Sequence, residues 1–365
     1  MKYKDNWEDT KKRFEAWWKH KNIDRPLMRV VAKRKQPLDG AVPLPPAASP
    51  EEKHLSVERK TRYMEYYCKS HLFLADSYPN LDMDLGPGSL AAYLGSKPVI
   101  SLKTIWFEEC MDDVSQLENI EFDENNYWFD LHLKNLTKVK ELSKGDYLVN
   151  IPDIVENVDI LSAIRGAQNF CFDLIDEPDL VKSALDKLDK IYFKCYDKFY
   201  NALKNEDGSS SYTVFNIWGP GKTAKIQCDF SAMMSPDQFI EFVVPSLTYQ
   251  SERLDNVLYH LDGPDAIRHL DALMQIKTID ALQWTPGAGQ PDGGSEKWYG
   301  IYDKVVEANK SLWITIYDGG VDQWIESADR LVKRYGPEKL YLLFPVMEEE
   351  DAYKIINTAE KQWVK

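Results

Sequence analysis

The residues of this chain best suited to chemistry lie together at 256–271, NVLYHLDGPDAIRHLD. An apolar run, Val257, Leu258 and Tyr259, stops at His260, Asp262 and Asp265. Gly263-Pro264 breaks this cluster before a helical pattern at Ile267, Leu270 and Leu273. Polar groups at the end of a buried strand are held rigidly, while the loop that follows leaves them accessible. His260 and Asp262 are two residues apart, so on a strand both point to one side. An imidazole beside a carboxylate suits proton transfer or a metal ion. The same spacing also suits a half-buried, satisfied histidine followed by an aspartate that caps a turn.

The elements that must position this pair alternate. The periodicity predicts strands at about 27–32, 99–107, 147–151, 212–217, 257–260, 281–284, 312–317 and 340–344, with helices between most of them. The segment 51–74 reads as one helix, and the stretch after 217 as a loop carrying Cys228 and Asp229. Such alternation implies parallel pairing with right-handed crossovers. About eight strands favour an α/β fold of the closed (β/α)8 TIM barrel type over an open sheet. The expected architecture is a single domain over 1–365, with an N-terminal helical extension and the first strand within 1–75.

Composition narrows the function classes. The chain has 365 residues, 44% of them hydrophobic, which is enough for a large core. Its formal net charge of −14 disfavours nucleic acid and anionic membranes, and the lysines are scattered over helix faces. No run of about 18 apolar residues occurs, so no membrane span is expected. The five cysteines form no CxxC pair and are odd in number, which fits a reducing, cytoplasmic setting. No GxGxxG, GxxxxGK[ST] or GxSxG is present, so nucleotide binding and a serine nucleophile elbow lack motif support.

A barrel of this kind carries its active site at the C-terminal ends of its strands. Those ends supply Glu108, Glu109, Asp153, Trp218, His260, Asp262, Trp284, Tyr317, Asp318, Met347 and Glu348. Trp218 and Trp284 each precede turn residues, and as a flat apolar wall they would suit an aromatic or methylated, cationic ligand. Tyr317, Asp318 and Asp153 are further candidates for binding substrate. Arg165 could clamp an anion, or simply close its helix. Carboxylate pairs also suit glycoside hydrolysis, with two of Asp153, Asp318 and Glu348 as the pair. Cys228 suits a small packed core residue.

Five segments run in order over 150–290: DILSAIRGAQNFCFDLIDEPDLV (159–181), NIWGPG (216–221), DFSAMMSPDQFIEFVVPSL (229–247), YHLDGP (259–264) and LQWTPGAG (282–289). Together they resemble the uroporphyrinogen decarboxylase-like superfamily, in particular its corrinoid-dependent methyltransferase branch. The resemblance implies the barrel fold. Decarboxylases of this superfamily carry an N-terminal arginine motif that Arg25, Arg29 and Arg34 do not reproduce. The methyltransferase branch moves methyl groups to or from a corrinoid on a separate protein, with zinc held by a His-x-Cys pair and a later cysteine. His260 matches that histidine, but Asp262 stands at the cysteine, and FPVMEEE (344–350) offers Glu348 at the later position.

Carboxylates for thiolates make a harder metal site with an open position. The resemblance therefore implies a demethylating enzyme. It would take methyl from a small methoxy- or methylamine-type donor and pass it to a corrinoid protein. Either zinc on His260, Asp262 and Glu348, or His260 and Asp262 as an acid–base pair, would serve it. A sugar-active hydrolase and a non-catalytic ligand-binding barrel are the alternatives.

Overall fold

The computed structural model describes residues 1–21 and 24–364. The first helix, Trp7–Trp18, buries Phe14, Trp17 and Trp18. It lies across the beginnings of the strands. Phe14 and Trp17 meet the Tyr341 ring at 5.4 and 5.6 Å, and the Ser311 hydroxyl donates to the Trp17 carbonyl at 2.9 Å. One end of the sheet is thereby plugged with aromatic side chains, and the chemistry is left to the other.

The early strand segments are β1 (Leu27–Lys33), β2 (His71–Ala75), β3 (Asn80–Leu81), β4 (Pro98–Ile100), β5 (Ile105–Phe107) and β6 (Leu148–Val149). The later ones are β7 (Ser210–Tyr212), β8 (Ile217–Gly219), β9 (Thr223–Gln227), β10 (Asn256–Asp262), β11 (Ala281–Thr285), β12 (Ser311–Thr315), β13 (Leu340–Leu343) and β14 (Met347–Glu348). The fold is α/β. A parallel ladder runs β1, β13, β12, β11, β10, β9, so the first strand hydrogen-bonds to one of the last. Helices such as Tyr299–Glu307 and Val321–Tyr335 make the crossovers. Their apolar faces cover strands buried on both sides, as parallel sheets require.

Among the described residues the backbone ladder does not close from β9 back to β1. Shorter links occupy that stretch. The Ser77 hydroxyl accepts from Val30 N–H at 2.7 Å and donates to its carbonyl at 2.6 Å. β3 pairs parallel with β6, Ile151 bridges Tyr212, and the Ser210 hydroxyl accepts from Thr223 N–H at 3.2 Å.

Three predicted elements differ. The run 99–107 is a hairpin, because Ser101 turns the chain with its hydroxyl accepting from the N–H groups of Lys103 and Thr104. The run 212–217 breaks at a turn in which Asn216 takes φ +52° and its N–H donates to Thr213. The expected helix 51–74 is two, Pro50–Leu55 and Val57–Ser70, parted at Ser56, whose hydroxyl caps the second, and the chain then re-enters as β2 antiparallel to β1. β10 lies between β11 and β9, and residues 223–227, expected as loop, form the latter strand.

Between β2 and β3 the carboxylate of Asp76 is fully buried. It accepts from Arg25 at 2.6 Å, Arg13 at 3.3 Å and Met28 N–H at 3.0 Å. Removing one partner of a buried ionic cluster costs about 3–5 kcal/mol, because the charges left behind are uncompensated. Asp76→Ala is expected to lose stability of that order in urea unfolding. A loss below about 1 kcal/mol, the size of an exposed pair, would contradict this account.

Candidate active site

Register places one row of side chains on one face of the sheet: Gln227, His260, Gln283, Trp313, Tyr341 and Leu27 are successive neighbours across six strands. Two residues further along the strands come Asp262 beside Thr285. Just past the end of β9 comes Asp229, opening a short 3-10 turn, Asp229–Met233. One ligand atom from each of Asp229, His260 and Asp262 can be chosen so that all three lie within 4.8 Å of one another.

The histidine's tautomer follows from its neighbours. Nδ1 faces the side-chain carbonyl oxygen of Gln283, which can only accept, so Nδ1 carries the hydrogen. The Gln283 NH2 group in turn donates to the Thr285 hydroxyl at 2.9 Å. Nε2 is left with its lone pair pointing to Asp229 Oδ1 at 4.0 Å. That separation is too wide for a direct hydrogen bond, and it suits two ligands of one metal ion or a donor shared between them. Burial, and then the ammonium of Lys225, hold the His260 pKa below its usual value. The Asp229 side chain is half-exposed, but it faces a concave mouth rather than open solvent. Desolvation there, with Asp159 nearby, pushes its carboxyl up to about 7.

Beneath this cluster lies a charged floor. Lys225 is fully buried, and its ammonium sits 2.7 Å from Asp153 and donates to the Gln227 carboxamide oxygen. Burial pulls the Lys225 pKa down, but Asp153 and Glu156 more than offset it. Glu156 is itself buried, which holds its carboxyl well above the usual range, and one of its oxygens accepts from Gln227 N–H at 2.6 Å. Asp159 takes three N–H donors: Gln227 Nε2 at 3.0 Å, Asp229 N at 2.9 Å and Phe230 N at 2.8 Å.

Two hollows open at this end of the sheet. One, of about 390 Å³, is lined by Trp106, Phe107, Ile160 and Phe230, with Asp159 and Asp229 at its polar side. The β4–β5 hairpin supplies its aromatic wall. The other, of about 300 Å³, is lined by Arg29, Trp313, Tyr317 and Phe344. Phe215 stands between them, 5.3 Å from the His260 ring and 5.9 Å from that of Trp313.

The expected site residues divide accordingly. His260 and Asp262 are brought together, Asp153 lies in the floor with Lys225, and Tyr317 lines the second hollow. Asp318 accepts from Asp292 N–H, tying down its own loop. Trp284 turns to the other face of β11 and packs on Trp298 at 5.1 Å. Trp218 is buried against Trp7 and Phe14 of the first helix. The aromatic wall expected of these two is formed instead by Trp106, Phe107 and Phe230. Arg165 is buried in a two-pronged pair with Asp173, at 2.7 and 3.1 Å, and has no free face for an anion. Glu348 is exposed and pairs with Lys33 at 3.3 Å, outside the cluster, and Asp229 stands in the third position instead. The signal for Asp229 was the alternation Lys225, Gln227, Asp229, two residues apart.

Because Trp284 serves packing, Trp284→Ala is expected to cost about 3–5 kcal/mol of stability. Ligand affinity of the folded protein should be unchanged. A large affinity loss in calorimetry, with stability kept, would put this ring back in the site.

No protein-family model matches this chain, and no curated protein does. The structure is similar to the solved structure of a methyltransferase from Methanosarcina mazei. The TM-score is 0.62 at 14% sequence identity, and the match covers 96% of this chain and 98% of that one. A likeness at that identity establishes a shared fold along nearly the whole length. Among the described residues no helix is long and apolar enough to cross a membrane.

Proposed function

We propose that this chain is a methyltransferase of the corrinoid-dependent branch of the uroporphyrinogen decarboxylase-like superfamily, a single (β/α)8 barrel domain acting in the cytoplasm. It takes a methyl group from a small methoxy- or methylamine-type donor and hands it to a corrinoid carried by a partner protein. The observation that carries the reading is the Asp229, His260, Asp262 cluster at the ends of parallel strands, in a fold shared with a methyltransferase. The pairing of β1 with β13, and the Ser77, Ile151 and Ser210 links, support closure of the barrel.

Cleaving a methyl–heteroatom bond with transfer of the methyl leaves the bonding electron pair on the heteroatom. That atom must be stabilised by a proton or a Lewis acid. The residues fit either role. Asp229, with its carboxyl held near 7, can carry a proton to the leaving atom. His260 keeps Nε2 unprotonated and oriented through Gln283. The same three side chains fit a divalent ion such as zinc. They offer one imidazole nitrogen and two carboxylates, and a Nδ1–H held by a carbonyl is the usual support for a metal-binding Nε2. A bound ion would supply Lewis-acid stabilisation at an open position. The cleft of Trp106, Phe107 and Phe230 would hold the donor's methyl-bearing end beside Asp229.

The test is transfer of methyl from a panel of methoxyarenes and methylamines to cob(I)alamin, followed by absorbance. Turnover of no donor by the folded protein, with cob(I)alamin or a corrinoid protein, would refute the reading. The hydrolase alternative gains no support from the geometry. Asp153 is occupied by Lys225, Asp318 by its loop and Glu348 by Lys33.

A further inference from the structure

A lysine in the middle of a fully buried parallel strand is costly, since its charge leaves water and an apolar side chain of similar length would pack more easily. Lys225 is nevertheless wholly buried in β9, four residues before Asp229. Its ammonium has two acceptors, Asp153 Oδ2 at 2.7 Å and the carboxamide oxygen of Gln227. Asp153 alone would neutralise it, so the contact to Gln227 does something more. A carboxamide is nearly symmetric in shape, and its orientation is set by its partners. With the oxygen drawn to Lys225, the NH2 group must face Asp159, and it does, at 3.0 Å.

We infer that Lys225 is a positioning residue for the candidate centre, acting through Gln227 and Asp159 on the backbone that aims the Asp229 carboxylate. The inference rests on Asp229, His260 and Asp262 forming the reacting centre. Asp159 holds Gln227 Nε2, Asp229 N–H and Phe230 N–H together, which clamps the turn leaving β9. No side-chain hydrogen bond of Asp229 is found among the described residues, and its Oδ1 lies 4.0 Å from His260 Nε2. Its direction therefore comes from the backbone, and the backbone is held by Asp159. Glu156 adds a second hold on the same strand end through Gln227 N–H.

Three variants test this. Gln227→Glu keeps an acceptor for Lys225 but turns a second carboxylate oxygen toward Asp159, where a donor stood. Lys225→Met removes the ammonium, and because it leaves Asp153 unpaired it is also made as the charge-balanced pair Lys225→Met with Asp153→Asn. The first readout is amide hydrogen exchange in the folded protein, which needs no metal and no substrate. Exchange at Asp229 and Phe230 is expected to rise about 10-fold or more, while amides in the middle of β10 and β11 keep their protection. The second is titration with Co(II), where affinity should fall about 10- to 100-fold, the loss usual when a supporting partner of a metal ligand is removed. The Co(II) absorption bands should change shape as well.

Unchanged exchange at Asp229 and Phe230 together with an unchanged Co(II) spectrum in folded Gln227→Glu would overturn the inference. Failure of the wild-type protein to take up Co(II) would count against the metal, and the exchange result would then decide the role of Lys225 by itself. Loss of methyl transfer without either change would also overturn it, since a positioning role must show in geometry.

Discussion

His260→Ala is expected to reduce methyl transfer to cob(I)alamin by about 10²–10⁴-fold, the range for loss of a positioned acid–base group, and further if a metal leaves with it. The reason is geometric. His260 is the member of the cluster whose ring lies between Gln283 on one side and Asp229 on the other. Its Nε2 has a free lone pair because Gln283 holds the hydrogen on Nδ1. Among the described residues no other imidazole joins the cluster. The substitution removes a side chain at a strand end that is not in the deepest core, so the fold should survive, and circular dichroism and thermal unfolding check this. His260→Gln, which retains a hydrogen-bonding group but no titrating ring, should recover little. Transfer at the wild-type rate by folded His260→Ala would sink the assigned site.

The second large effect concerns the metal. Zinc is expected near one equivalent in purified, untagged protein, and Asp229→Asn should lose most of it. Glu348→Gln should keep it, because Glu348 lies apart with Lys33. This contrast separates the cluster of Asp229, His260 and Asp262 from the ligand set expected from the resemblance. Metal binding requires the carboxylate form, and the Asp229 carboxyl is pushed up to about 7. A raised carboxyl pKa means that protons compete below it, so affinity should fall as pH drops through about 7 and level off above. Chelation should lower activity in parallel, with recovery on adding zinc. Zinc retained in Asp229→Asn but lost in Glu348→Gln would reverse the assignment. Zinc absent from wild type would move the chemistry to proton transfer by Asp229 and His260.

Much of the organisation was legible in the chain because the signals are local. Val257 to Tyr259 is apolar and bounded by polar residues, so β10 was visible, and so were β11, β12 and β13 with the helices between them. β9 was not visible. Its sequence TAKIQ is buried at every position but carries a lysine and a glutamine, and such a composition reads as loop unless their buried partners are known. Those partners, Asp153, Glu156 and Asp159, lie some seventy positions earlier in the chain. Missing β9 also hid Asp229, which sits just beyond its end.

The tryptophans show the same limit. Trp284 precedes a turn, as a binding residue might, but strand alternation sends it to the face opposite Gln283 and Thr285, where Trp298 waits. Arg165 ends a helix as expected, and only packing could bring Asp173 of the next helix against it.

By itself, then, the sequence determined what depends on period: the α/β alternation, and the shared side of His260 and Asp262, because residues two apart on a strand face the same way. The tertiary structure alone decided which carboxylate completes the cluster. It placed Asp229 there and left Glu348 beside Lys33. The physical reason is register. Periodicity orients side chains within one strand, whereas the meeting of β9 with β10 is set by backbone pairing and by buried charges that must find partners across the fold.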